Sequence, residues 1–84
     1  MPNSLDLAAN VDKFLARLTD EKLYQRLSKA IDQLKDSTFP YGAVKLAGSQ
    51  DTYRLRVGDY RILYRVYPNR IHVAFIAHRR EVYR

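Results

Sequence analysis

Apolar residues recur three and four positions apart in the first half of the chain, which is the period of helices with one buried face. The members of this stripe are Val11, Phe14, Leu15, Leu18, Leu23, Leu27, Ala30, Ile31 and Leu34. The stripe predicts two amphipathic helices, at about 10–18 and 20–35, with Asn10 and Thr19 as their N-caps. Because little chain separates the two helices, we expect a tight αα-hairpin with both apolar stripes in the core.

The period changes to two after Asp51, which is typical of strands with one buried face. The alternating runs are 53–57, 60–66 and 71–76, separated by short turns at Gly58-Asp59 and Pro68-Asn69. They predict a three-stranded antiparallel meander that ends near Ala77. Ser4–Leu7 alternates more weakly and is a candidate first strand, whereas 36–44 is rich in loop residues. The 84 residues therefore predict one α+β domain, 1–84, in which an N-terminal helical hairpin packs on a small antiparallel β-sheet.

Pairing across the turns sorts the side chains of this sheet onto two faces. Residues equidistant from a two-residue turn lie opposite each other, and opposite residues share a face. One face is predicted to carry Arg54, Arg56, Arg61, Leu63, Arg65, His72, Ala74 and Ile76. The other is predicted to carry Tyr53, Leu55, Val57, Tyr60, Ile62, Tyr64, Val66, Ile71, Val73 and Phe75. The second face needs an apolar cover, which the helices supply, and a one-residue slip would bury arginines under them.

The net charge of +6 lies entirely in the last part of the chain. Residues 1–52 hold seven basic and seven acidic side chains, whereas 53–84 holds eight basic and two acidic ones. The basic residues of the second part are all arginines, which bind phosphate in a forked geometry and stack on bases. This block indicates a polyanionic partner, and nucleic acid is the first candidate.

The arrangement of these arginines is unfavourable for the sheet alone. Arg56 opposite Arg61 is a like-charge cross-strand pair, which destabilises a sheet, and the meander places no acidic residue on that face. A bound anion would explain the pair. The alternative is a solvated face whose long arginine stems cover apolar surface. A plain RNA-binding sheet is disfavoured, because it would expose aromatic side chains among its cations and the alternation predicts none there.

The segment after the last strand holds two side chains suited to proton transfer. His78 carries an imidazole, the side chain most often used for proton transfer near neutral pH, and Tyr83 is a phenol close to Arg79 and Arg80, where cations favour ionisation. The simpler interpretations are a solvated histidine at the end of a strand and a tyrosine that anchors the C-terminus. His72 and His78 have no carboxylate or cysteine partner at ligand spacing, so neither a metal nor another cofactor is expected.

Composition excludes several other classes. The chain has no cysteine, and hence no disulfide framework and no thiolate metal site. No apolar run approaches the ~20 residues that span a bilayer, and MPNSLDLAAN lacks the features of a signal peptide. We therefore expect a cytoplasmic protein without membrane partners.

The segment KLAGSQDTYRLRVGDYRILYRV, followed by IAHRREVYR, resembles the signature of the RelE/ParE toxin family, the toxins of type II toxin–antitoxin modules. VDKFLARL and the second helix resemble the helical hairpin of that family, so the likeness covers most of the chain. The resemblance implies a RelE-like, microbial-RNase-like fold. Members of the RelE branch are ribosome-dependent mRNA endonucleases, or mRNA interferases, that act in the ribosomal A site. Members of the ParE branch poison DNA gyrase and lack the catalytic set.

The RelE pattern has a slot for each of several residues of this chain. Two cations precede the turn, here Arg54 and Arg56, and an arginine follows it, here Arg61. The pattern ends with an arginine and a tyrosine, here Arg79 and Tyr83. All of these slots are filled, which favours the nuclease branch.

Some features depart from the pattern. Well-known members carry lysines where this chain has Arg54 and Arg56, and an arginine cannot act as a general base because it does not deprotonate in proteins. Arg80 is an alternative match for the terminal arginine. The first strand is weak, and no helix follows Tyr83.

The resemblance implies metal-independent cleavage, in which the RNA 2′-hydroxyl attacks the adjacent phosphate and leaves a 2′,3′-cyclic phosphate. The implied catalytic residues are Arg61, Arg79, Tyr83 and His78, and the implied RNA-binding residues are Arg54, Arg56, Arg65 and Arg80. The implied partners are mRNA in the A site and a small acidic antitoxin that forms a hetero-oligomer with the toxin. A ParE-like gyrase inhibitor and an inactive nucleic-acid-binding relative stay open as alternatives.

Overall fold

The computed structural model describes residues 3–78, which form two helices and one five-stranded sheet. The elements are β1 (Ser4–Leu7), α1 (Ala9–Arg17), α2 (Glu21–Gln33), β2 (Val44–Lys45), β3 (Thr52–Val57), β4 (Tyr60–Tyr67) and β5 (Arg70–His78). The strand order is β1-β5-β4-β3-β2. The α+β class, the hairpin of helices and the antiparallel meander β3-β4-β5 are confirmed. Neither described helix is long and apolar enough to cross a membrane.

Two further strands extend the predicted meander. The weak candidate at Ser4–Leu7 is a strand, and it pairs with β5 in the parallel direction, so that Leu5 lies beside Ile71. At the other edge, Val44–Lys45 pairs with β3 in a stretch that was predicted as loop. Both strands are short, so local alternation gives little signal for either, and the pairing partner of β1 is also distant in sequence.

The core lies between the helices and one face of the sheet. Its buried members are Val11, Leu27, Ile31, Leu34, Leu55, Ile62, Tyr64, Ile71, Val73 and Ile76. Tyr64 is fully buried, and its hydroxyl donates a hydrogen bond of 2.8 Å to the Thr38 carbonyl. This bond ties the loop after α2 to the sheet, and burial raises the pKa of Tyr64 to about 12.

The helices begin at different residues from those predicted. Asp20, not Thr19, caps α2, because its Oδ1 accepts a hydrogen bond of 3.1 Å from the Leu23 amide. Asn10 lies inside α1, whose N-cap is Ala8 without a side-chain cap. The Ala8 amide donates to the Val73 carbonyl at 2.9 Å, so the end of β1 leads directly into the helix.

A β-bulge in β5 changes which side chains lie on which face. Leu63 pairs with Phe75 and Tyr64 pairs with Val73, which leaves Ala74 as the extra residue. The prediction of unbroken alternation is therefore wrong after Val73. Ile76 lies in the core at 5 % exposure, whereas Phe75 lies on the opposite face and is 43 % exposed.

Candidate nucleic-acid interface

The face of the sheet that the helices leave open is here called the cationic face, and it is defined by Arg54 and Arg56 of β3 and Arg61 and Arg65 of β4. The register sets Arg56 opposite Arg61, Arg54 opposite Leu63 and Thr52 opposite Arg65. All four arginines therefore project from one side of the sheet, as the turn geometry predicted. The cross-strand pair of Arg56 and Arg61 is thus present in the structure.

The four arginines differ in accessibility. Arg56 and Arg65 are exposed and Arg54 is partly buried, whereas Arg61 is only 5 % exposed. Arg56 Nε donates a hydrogen bond of 3.1 Å to the Gly58 carbonyl, which directs its side chain toward the hairpin turn. A hydrogen bond to Tyr67, with the nearby Asp51 charge, raises the pKa of Arg65. The exposed Arg56 and Arg65 are thus placed to meet a polyanion first, whereas the buried Arg61 lies directly opposite Arg56.

An acidic residue also lies on this side of the sheet, contrary to the prediction from the meander alone. Parallel pairing sets Asp6 of β1 beside His72 of β5. The Asp6 carboxylate contacts His72 Nδ1 and accepts a hydrogen bond of 3.3 Å from Arg70. The hydrogen bond with His72 is the main cause that lowers the pKa of Asp6. Arg70 in turn lies over the Tyr67 ring at 4.6 Å.

His78 lies on the helix side, not beside the arginines of the cationic face. It pairs with Tyr60, and the two rings meet edge to face with centroids 5.1 Å apart. They line a cleft at the end of β5 together with Asn10 and Phe14 of α1 and with Phe75 and Ile76, so Phe75 at the edge of the sheet also borders this cleft. The bulge at Ala74 is the physical reason, because one extra residue shifts every later side chain of the strand to the other face.

Three predicted site residues, Arg79, Arg80 and Tyr83, lie outside the described residues. Within 3–78, no group of three or more histidine, cysteine, aspartate or glutamate side chains is arranged to hold a metal ion. The described part of the site therefore consists of arginines on the sheet face that the helices leave uncovered, with Arg61 buried among them. It can bind and neutralise phosphate, and it defines a small basic α+β domain suited to a polyanionic partner.

Comparison with known proteins identifies the family to which this basic α+β domain belongs. A family model described as the ParE toxin of the type II toxin–antitoxin system parDE matches residues 5–83. The chain therefore belongs to the RelE/ParE family of type II toxins. No match was found among curated proteins.

Solved structures of this family share the fold. RelE in the archaeal RelE–RelB complex from Pyrococcus horikoshii OT3 is 29% identical with a TM-score of 0.79, covering 94% of this chain and 97% of that one. The RelB–RelE antitoxin–toxin complex from Methanococcus jannaschii gives 25% identity and a TM-score of 0.74, covering 92% of this chain and 93% of that one. The chromosomal ParDE system from P. aeruginosa is 16% identical with a TM-score of 0.63, covering 90% of this chain and 95% of that one. At this identity the likeness shows the fold alone.

Proposed function

We propose that this toxin is a ribosome-dependent mRNA endonuclease of the RelE type. The observation that carries the proposal is the cationic face, where Arg56 and Arg61 face each other and Arg54 and Arg65 lie alongside. Identity of 29% to an archaeal RelE over nearly the whole chain gives further support.

In the proposed reaction, the 2′-oxygen of the RNA forms a bond to the adjacent phosphorus while the bond from phosphorus to the 5′-oxygen breaks. The products are a 2′,3′-cyclic phosphate and a 5′-hydroxyl, so the 2′-hydroxyl loses a proton and the leaving oxygen gains one. Negative charge grows on the phosphate oxygens in between. Arg61 and Arg79 are assigned to that charge, and a preorganised donor of this kind contributes about 2–4 kcal/mol.

The two proton transfers are assigned to the residues that the sequence predicts for them, with one revision that concerns His78. Tyr83 is proposed either to donate the proton to the leaving 5′-oxygen or to stack on a base. The ring of His78 lies on the helix side of the sheet, so His78 serves only if the RNA passes around the end of β5. His72 lies on the side of the arginines but opposite Arg65, which is four residues and about 13 Å along the strand from Arg61. His72 is therefore too far to act at a phosphate held by Arg61.

A second candidate function is inhibition of DNA gyrase without nuclease activity. The specific observation in its favour is that the matching family model is the one described for ParE. The cationic face would then bind an anionic surface and would not need to hold one phosphodiester in a reactive geometry.

Two assays on the purified protein separate the candidates. In a translating extract, the proposal predicts new mRNA ends inside reading frames, ending in a 2′,3′-cyclic phosphate and appearing only when ribosomes translate the message. In a supercoiling assay, it predicts that gyrase keeps its full activity. Intact mRNA together with inhibited supercoiling would contradict the nuclease proposal and support inhibition of DNA gyrase instead.

We further propose a small acidic antitoxin as the cognate partner. Solved relatives are toxins in complex with RelB-type antitoxins, and a net charge of +6 favours an acidic partner. Co-expression with the adjacent gene is expected to restore growth and to co-purify that gene product with the toxin. A neighbouring protein that does neither is not the antitoxin.

A further inference from the structure

Phe75 of β5 places an exposed aromatic ring on the cationic face. Phe75 is 43 % exposed and lies opposite Leu63, because the bulge at Ala74 moves it out of the core. Exposed aromatic side chains among cations are the feature that base recognition on an open sheet requires. Unbroken alternation would have placed this ring under the helices.

The surroundings of Phe75 combine an apolar floor with cations on both sides. On β4, Arg61 and Arg65 precede and follow Leu63 by two residues, so they are the diagonal neighbours of Phe75 at roughly 7–8 Å between Cα atoms. Arg54 lies on the far side of Leu63. The pairing of β1 ends at Val73, so Phe75 stands beside a strand edge that β1 does not cover. A chain can therefore reach the ring both from above and from the side.

This combination favours one class of ligand over others. A folded acidic protein would pair with the arginines but has no particular need of a flat ring among them. A single nucleic-acid strand offers both parts at once, since each nucleotide carries a phosphate for an arginine and a base with a π-face for a ring. Paired bases are stacked on each other and do not present that face, so the ligand is unpaired.

We propose that Phe75 is a stacking platform for one unpaired RNA base, held while the neighbouring phosphates lie on the arginines of the cationic face. Phe75 is then a positioning residue: it sets which nucleotide rests beside Arg61 and takes no part in proton transfer. The choice of RNA as the strand rests on the proposed function, whereas the stacking geometry rests on the register of β4 and β5.

The test measures binding separately from cleavage. A short single-stranded RNA, 2′-O-methylated so that it has no internal nucleophile and carrying 2-aminopurine in place of one base, is titrated with parent protein at low salt. Stacking on the ring quenches the 2-aminopurine fluorescence. Phe75→Ala is expected to weaken binding roughly 5- to 150-fold, the range found for loss of one base–aromatic stack, and to abolish the quenching. Phe75→Tyr is expected to retain both.

Two controls separate stacking from packing. Phe75→Leu keeps an apolar side chain in a folded protein but offers no π-face, and we expect it to lose the quenching as Phe75→Ala does. Tyr24→Leu removes an aromatic side chain of equal exposure, 43 %, from α2 on the other side of the molecule. Its RNA binding is expected to equal that of the parent.

The outcomes distinguish this inference from the proposed function. Equal affinity and equal quenching for the parent and Phe75→Leu would overturn the stacking role while leaving the nuclease proposal intact. A parent that shows quenching by Phe75 but cuts no mRNA in the translating extract supports stacking and removes the nuclease. A parent that does not bind the oligonucleotide measurably overturns the stacking role, whereas the nuclease proposal is decided by the translating extract, because it requires the ribosome. Loss of antitoxin binding alone in Phe75→Leu would reassign the ring to the protein partner.

Discussion

At the scale of single residues, the cationic side of the sheet is organised by contacts that span most of the chain. Asp6 and His72 are far apart in sequence, yet parallel pairing of β1 with β5 brings the carboxylate to the imidazole and to Arg70. The carboxylate balances part of the positive charge at the end of this side where Arg65 and Arg70 lie. Arg56 and Arg61 lie at the other end of their strands, and under the proposed function the phosphate is expected there.

Replacing Asp6 by asparagine tests this cluster through its pH dependence. The pKa of Asp6 in the folded protein is lowered below 3.8, chiefly by the hydrogen bond with His72. A lowered pKa stabilises the fold above the unfolded value, and that contribution is lost as the pH falls through the folded value. In urea unfolding, parent should exceed Asp6→Asn in stability near neutral pH, and the difference should shrink below pH 3.8.

The exposed Asp12 of α1 provides the matched control, since Asp12→Asn removes the same charge away from the cluster. A parent-to-variant difference for Asp6 that is constant across the acid range would contradict the ion-pair account.

Tyr64 allows a second test at this scale, at the alkaline end. Its pKa is raised from 10.0 to about 12 by burial, so folding favours the neutral phenol, and this contribution is lost as the pH rises from 10 toward 12. Tyr64→Phe removes the bond to the Thr38 carbonyl and should cost about 0.5–1.5 kcal/mol of unfolding free energy. Denaturant unfolding should show this cost below pH 10 and a smaller cost above it. A cost that is the same above and below pH 10 would mean that the phenol of Tyr64 is accessible to solvent in the folded protein.

At the scale of elements, the sequence predicts what local periodicity encodes and misses what distant pairing decides. Helical and alternating periods located the hairpin of helices, the meander and the four arginines of the cationic face. The bulge at Ala74 was missed, because VAFI is apolar throughout and alternation cannot show where an extra residue enters. That omission misplaced Phe75 and His78 together. Asp6 was missed as well, since a strand of four residues carries little pattern.

Paired substitutions in β5 test the bulge directly. Ile76→Ala is expected to cost about 2–5 kcal/mol, because Ile76 packs in the core. Phe75→Ala is expected to cost far less, because the ring is half-exposed on the open face. Denaturant unfolding of both variants gives the two values. A larger loss for Phe75→Ala would mean that the alternation runs unbroken through Ala74.

At the scale of the whole molecule, charge and fold are divided between the two sides of one sheet. The helices cover the apolar side and supply the core, while the other side carries Arg54, Arg56, Arg61 and Arg65. Under the proposed function, the arginine side is the surface that meets the RNA, while the helix side holds the fold together. The proposed nuclease requires this surface to hold one phosphodiester in a reactive geometry, whereas the gyrase alternative requires it only to bind an anionic surface.

The most direct test of the central claim is mapping of mRNA ends in a translating extract with Arg61→Ala, compared with Arg17→Ala on the exposed surface of α1. If the cationic face neutralises the scissile phosphate, Arg61→Ala should lower the cleavage rate by roughly 10²–10³-fold. Arg79→Ala and Tyr83→Phe should also lower it, and Arg17→Ala should cut like the parent. Folded Arg61→Ala that cleaves at the parental rate, or equal losses from Arg61→Ala and Arg17→Ala, would contradict the account.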